Sequence, residues 1–225
     1  MSGKIVLMYY ESRAMAGAKL ASELIDKYRY LDTAVVSLDR GGIAVGFQIA
    51  TYLHTTMQQL ITETIHIKDE SVDYATVLPG GVIAKNPEMS ESESEYYYGE
   101  YAGQLEDEVR EATTKINRML GDGGDIDPAA LRGRNVILVS DGLSSGSILD
   151  ATVQWLKPVR VERIILAVPI VSVAALDKAH VLTDELHILG VTPNYIATDH
   201  YYDISDEPDD KQAHDMINAT ILGWK

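Results

Sequence analysis

The chain has 225 residues, 46% of them hydrophobic, enough for one large or two small globular domains. It has no cysteine, which excludes disulfides, thiolate zinc sites and cysteine nucleophiles. Acids outnumber bases 34 to 19, a formal net charge of −15, and no basic patch offsets it, so a nucleic-acid partner is not expected.

The chain begins MSGKIVLMYYESR, whose apolar run is too short for a signal peptide and has no cleavage site behind it. No stretch approaches the ~20 apolar residues of a membrane helix, so no membrane partner and a cytoplasmic location are expected. Residues 14–28 predict a helix, with Ala16, Leu20, Leu24 and Tyr28 on one stripe. Residues 34–38 (AVVSL) predict a buried strand, and the turn Asp39-Arg40-Gly41-Gly42 leads into a helix over 43–53. Short strands follow near 58–61, 64–67 and 74–78. Residues 87–95 (PEMSESESE) are polar and acidic and predict a mobile loop. In the next helix, 101–120, Leu105, Val109, Ala112, Ile116 and Leu120 recur at helical spacing, and Gly121-Asp122-Gly123-Gly124 stops it. Then come a strand over 136–139, a helix over 147–156 ended before Pro158, a strand over 163–168, a helix over 173–179, a strand over 185–189 and a terminal helix after Glu207. Strands alternating with helices imply an α/β fold, a mainly parallel twisted sheet flanked by helices. With no linker, residues 1–225 form one domain carrying an inserted loop and long helix.

The segment 136–148, VILVSDGLSSGSI, carries the most chemistry. A strand runs into a loop of Asp, Gly and Ser and then into a helix. Such a loop aims backbone N–H groups at one point, at the positive end of the helix dipole. Gly142 and Gly146 admit an anion close to the backbone, and the hydroxyls of Ser144, Ser145 and Ser147 add donors. Asp141 repels phosphate but suits sugar hydroxyls, so the set points to a sugar phosphate. An ordinary strand-to-helix turn with capping serines is the simpler alternative. Asp39 suits a base or a metal-water partner, though closing the turn is its simpler role. The acids cluster in 88–111 and 203–215, where solvated faces are expected, and neither they nor the six histidines have metal-ligand spacing. Tyr96, Tyr97, Tyr98 and Tyr101, and likewise Tyr201 and Tyr202, suit either packing or stacking on a nucleobase.

The 136–148 segment resembles the phosphoribosyl diphosphate (PRPP) loop of type I phosphoribosyltransferases. Val136, Ile137, Leu138 and Val139 match its apolar run and Asp141 its second acid. Gly142, Leu143, Ser144, Ser145 and Gly146 match its loop, with Ser145 in the place of a threonine. Residues 35–50 resemble the family's diphosphate loop and helix, closest to a subgroup with an Arg-Gly-Gly turn. Ala167-Val168-Pro169-Ile170 and Tyr201-Tyr202-Asp203 resemble further segments of that subgroup. The resemblance implies that Asp141, with Ser140 beside it, holds the ribose hydroxyls. It implies that Gly142, Leu143, Ser144, Ser145, Gly146 and Ser147 hold the 5′-phosphate, and that Arg40, Gly41 and Gly42, next to Asp39, hold the diphosphate. Of these, Asp141 and Arg40 would be catalytic. The implied reaction transfers a 5-phosphoribosyl group to a nitrogen acceptor, with Mg²⁺ brought by PRPP. The implied partners are a sugar phosphate or nucleotide and a second copy in a homodimer.

Three positions depart from the family. Ser140 replaces the first acid, Ile148 replaces the closing Thr, and residues 61–66 (ITETIH) lack the subgroup's Arg-Lys pair, leaving Lys68 and Lys85 as nearby cations. These departures imply the alternative of a non-catalytic PRPP or nucleotide sensor.

Overall fold

The computed structural model describes residues 9–67, 72–86, 89–121 and 126–222. Lys68 and residues 122–124 of the predicted helix stop lie outside them. Ser12 and Asp206 cap a first helix, α1 (Arg13–Tyr28), their side chains accepting from the amides of Met15 and of Arg13 and Ala14. Strand β1 (Thr33–Ser37) leads through the Asp39 turn into α2 (Gly41–Leu53), which begins at the first glycine, before the predicted Ile43. After β2 (Thr56–Gln59), the strands β3 (Glu63–Ile67), β4 (Val72–Leu78) and β5 (Val82–Lys85) form a separate antiparallel sheet.

Helix α3 (Glu91–Gly121) covers that sheet and breaks its helical geometry once, at Tyr101. The mobile loop predicted over 87–95 is therefore corrected: residues 91–95 are helical. Pro87 and Glu88 lie outside the described residues. The physical reason is a capping box. The Glu93 amide donates to Ser90 Oγ at 3.3 Å, and the Glu93 carboxylate accepts from the Ser90 amide at 2.9 Å.

The chain returns to the first sheet with β6 (Asn135–Val139), α4 (Ser147–Leu156), β7 (Arg163–Ser172), α5 (Val173–Leu182) and β8 (Glu185–Thr192), and ends in α6 (Asp210–Leu222). The sheet order is β2-β1-β6-β7-β8, every neighbouring pair parallel. Alternate strand residues serve its two faces. Val36, Leu138 and Val168 pack with α4 and α5; Val35, Ile137 and Ala167 pack with α1, α2 and α6. Ile65, Val77, Leu105 and Ile116 form the core of the small sheet and α3. Leu78 and Ala84 join that sheet to the main core, and Trp155 Nε1 donates to the Pro79 carbonyl at 3.2 Å.

This order fixes where a ligand fits. From β1 the chain turns to β2 on one side; from β6 it turns to β7 on the other. The crevice at the carboxyl ends of such diverging strands is where open α/β sheets bind ligands. Both glycine turns found in the sequence lie there.

Candidate functional site

Two strand-to-helix loops meet above β1 and β6. In the first, Asp39 Oδ1 accepts from the Gly42 amide at 2.6 Å, so Asp39 does close the turn. In the second, the Ser140 hydroxyl accepts from the Gly142 amide at 3.1 Å and donates to its carbonyl at 3.0 Å. The loops touch through their glycines. A Cβ on Gly41 would stand 2.0 Å from Asp141 Oδ2, and one on Gly42 would stand 2.9 Å from Ser140 Cα. Only glycine permits that approach.

Leu143 differs from its neighbours. Its side chain is buried in the main core, its amide donates to the Ile170 carbonyl at 3.0 Å, and its carbonyl accepts from Ser172 at 2.9 Å. Leu143 thus holds the loop to β7, and its N–H, like that of Gly142, which donates to Ser140, is not available to a ligand. Ser172 adds a bond to the Ser144 carbonyl at 2.7 Å while capping α5. Among the described residues the amides of Ser144, Ser145 and Gly146 donate to nothing, and the Ser147 amide has only Ser145 Oγ at 3.4 Å. Consecutive free amides before a helix form an anion cradle. A cavity of about 280 Å³ opens beside it, bordered by Asp39, Thr62, Ser144, Ser145 and Ser147 and, from the small sheet, by Asp73 and Lys85. Among the described residues, Lys85 is therefore the cation that the small sheet brings to this cavity.

A second cavity, about 340 Å³, lies on the other side of Asp39, bordered by Arg13, Arg40, Gly41, Asp141, Asp199 and Glu207. Arg40 is half-exposed and pairs with Asp210 at the start of α6. Arg13, which the sequence reading did not single out, is 1% exposed. Its Nε donates to Asp141 Oδ2 at 2.7 Å, its Nη2 to Asp199, and its guanidinium lies 4.7 Å from the centre of the Tyr202 ring. Asp206 and Asp210 thus hold α1 and Arg40, which corrects the expectation that the acids of 203–215 are only solvated. Tyr201 and Tyr202 are buried against Tyr10 and Ile170, so they are core residues and offer no face for stacking. Tyr97 and Tyr101 pack on the small sheet, while Tyr96 and Tyr98 are exposed.

Asp39 and Asp141 form a carboxyl pair. Asp39 is partly exposed yet surrounded by protein, and that enclosure, together with the Asp141 charge, pushes its pKa up to about 7. Burial also raises Asp141, against the pull of the Arg13 guanidinium. Arg13 favours the charge on Asp141, so the proton shared by the pair resides on Asp39. The unfolded chain releases that proton near the ordinary carboxylate range. Below it this proton contributes its full stability, which is lost as pH rises to about 7. Asp39→Asn removes this component and keeps an acceptor for Gly42. The urea midpoint of the wild type, relative to that of the variant, is expected to fall between about pH 4 and about pH 8. A difference independent of pH places the proton elsewhere.

No helix among the described residues is long and apolar enough to cross a membrane. The model of the phosphoribosyl transferase domain matches residues 7–185. The crystal structure of TT1426 from Thermus thermophilus is 24% identical, with a TM-score of 0.71 over 93% of this chain and 98% of that one. A hypoxanthine phosphoribosyltransferase from Staphylococcus aureus is 13% identical, with a TM-score of 0.47 over 85% of this chain and 78% of its own. A hypothetical protein from Neisseria gonorrhoeae, solved with bound ppGpp, is 13% identical, with a TM-score of 0.49 over 94% and 96%. The family model spans most of the chain and covers both loops at the β1/β6 crevice, so the protein belongs to the phosphoribosyl transferase domain family.

Proposed function

We propose that this protein binds PRPP, or a related ribose 5-phosphate or nucleotide, and transfers the 5-phosphoribosyl group to a nitrogen acceptor with release of pyrophosphate. One observation carries the reading. The free amides of Ser144, Ser145 and Gly146 stand at the same crevice as the Arg40–Gly41 turn, with the Asp39 carboxyl between the two cavities and Asp141 beside Gly41. That order, phosphate cradle, carboxylate, second anion site, matches the order of groups along PRPP. In the transfer the C1–O bond to the diphosphate breaks and its electron pair leaves with pyrophosphate. The acceptor nitrogen forms the new C1–N bond and afterwards releases its proton.

The chain contributes by position and charge. Ser144, Ser145, Gly146 and Ser147 hold the 5′-phosphate. Asp141, fixed by Arg13, takes the ribose hydroxyls. Arg40 and Gly41 receive the diphosphate, the Gly42 amide being held by Asp39, and Lys85 borders the space beside the cradle. Mg²⁺ typically uses one or two carboxylates together with phosphate oxygens. Asp39 and Asp141 fit that demand, and among the described residues no larger group of candidate ligands gathers. When bound, Mg²⁺ would neutralise charge on the leaving diphosphate. The reading includes a cytoplasmic location and a homodimer.

A second reading, a PRPP or nucleotide sensor without turnover, is favoured by the pairing of Arg40 with Asp210 and by Ser140 in the place of an acid. Titration with PRPP and Mg²⁺ by calorimetry, followed by a pyrophosphate-release assay with a panel of nitrogen bases, separates the two. Binding with release supports transfer; binding without release for any base supports the sensor. In Gly146→Val the new Cβ would stand 2.6 Å from Lys178 Cβ. The branched side chain therefore forces the loop and α5 apart. Each charge-assisted amide bond is worth about 1.5–3 kcal/mol, so the loss of affinity should be on the order of 100-fold. If the wild type binds none of PRPP, ribose 5-phosphate and nucleotides, both readings fall.

A further inference from the structure

Arg13 is 1% exposed, yet its Nη1 donates no hydrogen bond. Asp206 Oδ1 forms an ion pair with it at 3.7 Å, beyond hydrogen-bond reach. Buried polar groups almost always make a hydrogen bond, and one that does not needs an explanation. The same residue borders the 340 Å³ cavity beside Arg40 and Gly41. We propose that Arg13 is a ligand residue of this site, its Nη1 and Nη2 edge receiving oxygens of the diphosphate of the phosphoribosyl donor. This rests on the reading that the crevice holds PRPP, and it adds a residue from α1 that lies in neither glycine turn.

Three features support the assignment. The Nε bond to Asp141 fixes the plane of the guanidinium, so one group would orient the ribose-binding carboxylate and hold the leaving group. The Nη2 partner, Asp199, has a side chain 69% exposed and belongs to a single 3₁₀ turn, Thr198–Tyr201, so it can yield to a ligand oxygen. Arg40 repeats the pattern, held by Asp210, whose side chain is 79% exposed. Both arginines at the cavity are thus held by exposed carboxylates of the C-terminal segment, in positions that anionic oxygens would take.

The test titrates wild type, Arg13→Lys and Asp199→Asn with inorganic pyrophosphate and, separately, with ribose 5-phosphate, all with Mg²⁺. Lysine keeps the charge and loses the fork. Pyrophosphate affinity is expected to fall in Arg13→Lys at least about tenfold more than ribose 5-phosphate affinity. Asp199→Asn removes the competing anion, so pyrophosphate should bind several-fold tighter and ribose 5-phosphate as before. Should Arg13→Lys fail to fold by circular dichroism, Asp199→Asn decides alone. Unchanged or weaker pyrophosphate binding in Asp199→Asn, or equal losses for both probes in a folded Arg13→Lys, overturns the proposal. A wild type that binds ribose 5-phosphate but not pyrophosphate overturns this proposal only. One that binds neither removes the functional reading itself.

Discussion

Arg13→Ala is expected to lower the unfolding free energy by about 3–5 kcal/mol at neutral pH, the usual cost of removing one partner from a buried ion pair. Arg13 is 1% exposed and Asp141 is 7% exposed, so the surrounding protein offers Asp141 little of the hydration that an exposed carboxylate would have. Asp141 would remain as a buried carboxylate beside Asp39, with no cation to offset the burial that already raises its pKa. The sign with pH follows. Without Arg13, Asp141 takes up a proton more readily in the folded state, so the deficit of the variant should shrink as pH falls from about 7 to about 5. Adding Asp141→Asn to Arg13→Ala removes the stranded charge, and the double variant should be more stable at neutral pH than Arg13→Ala alone. Urea unfolding of the four proteins at both pH values checks the cycle. Additive losses that do not vary with pH would show that Arg13 matters only for packing on Tyr202.

Why the sequence did not reveal Arg13 is a matter of distance along the chain. Its partners Asp141 and Asp199 are separated from it by 128 and 186 positions, so no local pattern reports them. One local signal was available. Arg13 is the first residue of α1, where the helix dipole disfavours a cation and where the first turn has no acid. A locally unfavourable choice of this kind often marks a functional or strained site. The two glycine turns were legible for the opposite reason: each is contiguous, and its glycines and serines have a direct consequence for the backbone.

The elements divide in the same way. Helix α4 runs Ser147–Leu156, as the Gly146 turn and Pro158 predicted. The strand expected over 163–168 continues to Ser172 through Pro169, a residue that usually ends a strand. It survives because β6 pairs no further than Ala167 and the register with β8 passes from Val168 to Ile170. Strand β5 was missed because four residues after Pro79-Gly80-Gly81 carry too little pattern. It exists because β4 offers a partner, with Gly80 and Gly81 turning the chain at φ of 80° and 74°. In the 87–95 segment, composition suggested a loop while the Ser90–Glu93 box started a helix; the specific hydrogen bonds outweighed the composition.

The extension of β7 is also what makes the phosphate loop rigid, and Leu143→Ala tests that link. Leu143 is the one large apolar residue among Gly142, Ser144, Ser145 and Gly146, and it is 3% exposed within the main core. Truncating a buried leucine to alanine costs about 2–5 kcal/mol, the spread depending on how far the cavity collapses. Alanine leaves the two backbone bonds, to Ile170 and from Ser172, available. The variant should therefore fold, at a lower urea midpoint, with a loop held by two hydrogen bonds and no side-chain anchor. A cradle of free amides binds an anion well only when the amides are already aimed. Ribose 5-phosphate affinity, measured under conditions where the variant is fully folded, should then fall roughly tenfold, about 1.4 kcal/mol. Leu143→Met keeps the volume and should restore most of both quantities. A folded Leu143→Ala that binds ribose 5-phosphate like the wild type would show that the Ser172 and Ile170 bonds alone position the cradle, with the leucine serving stability only.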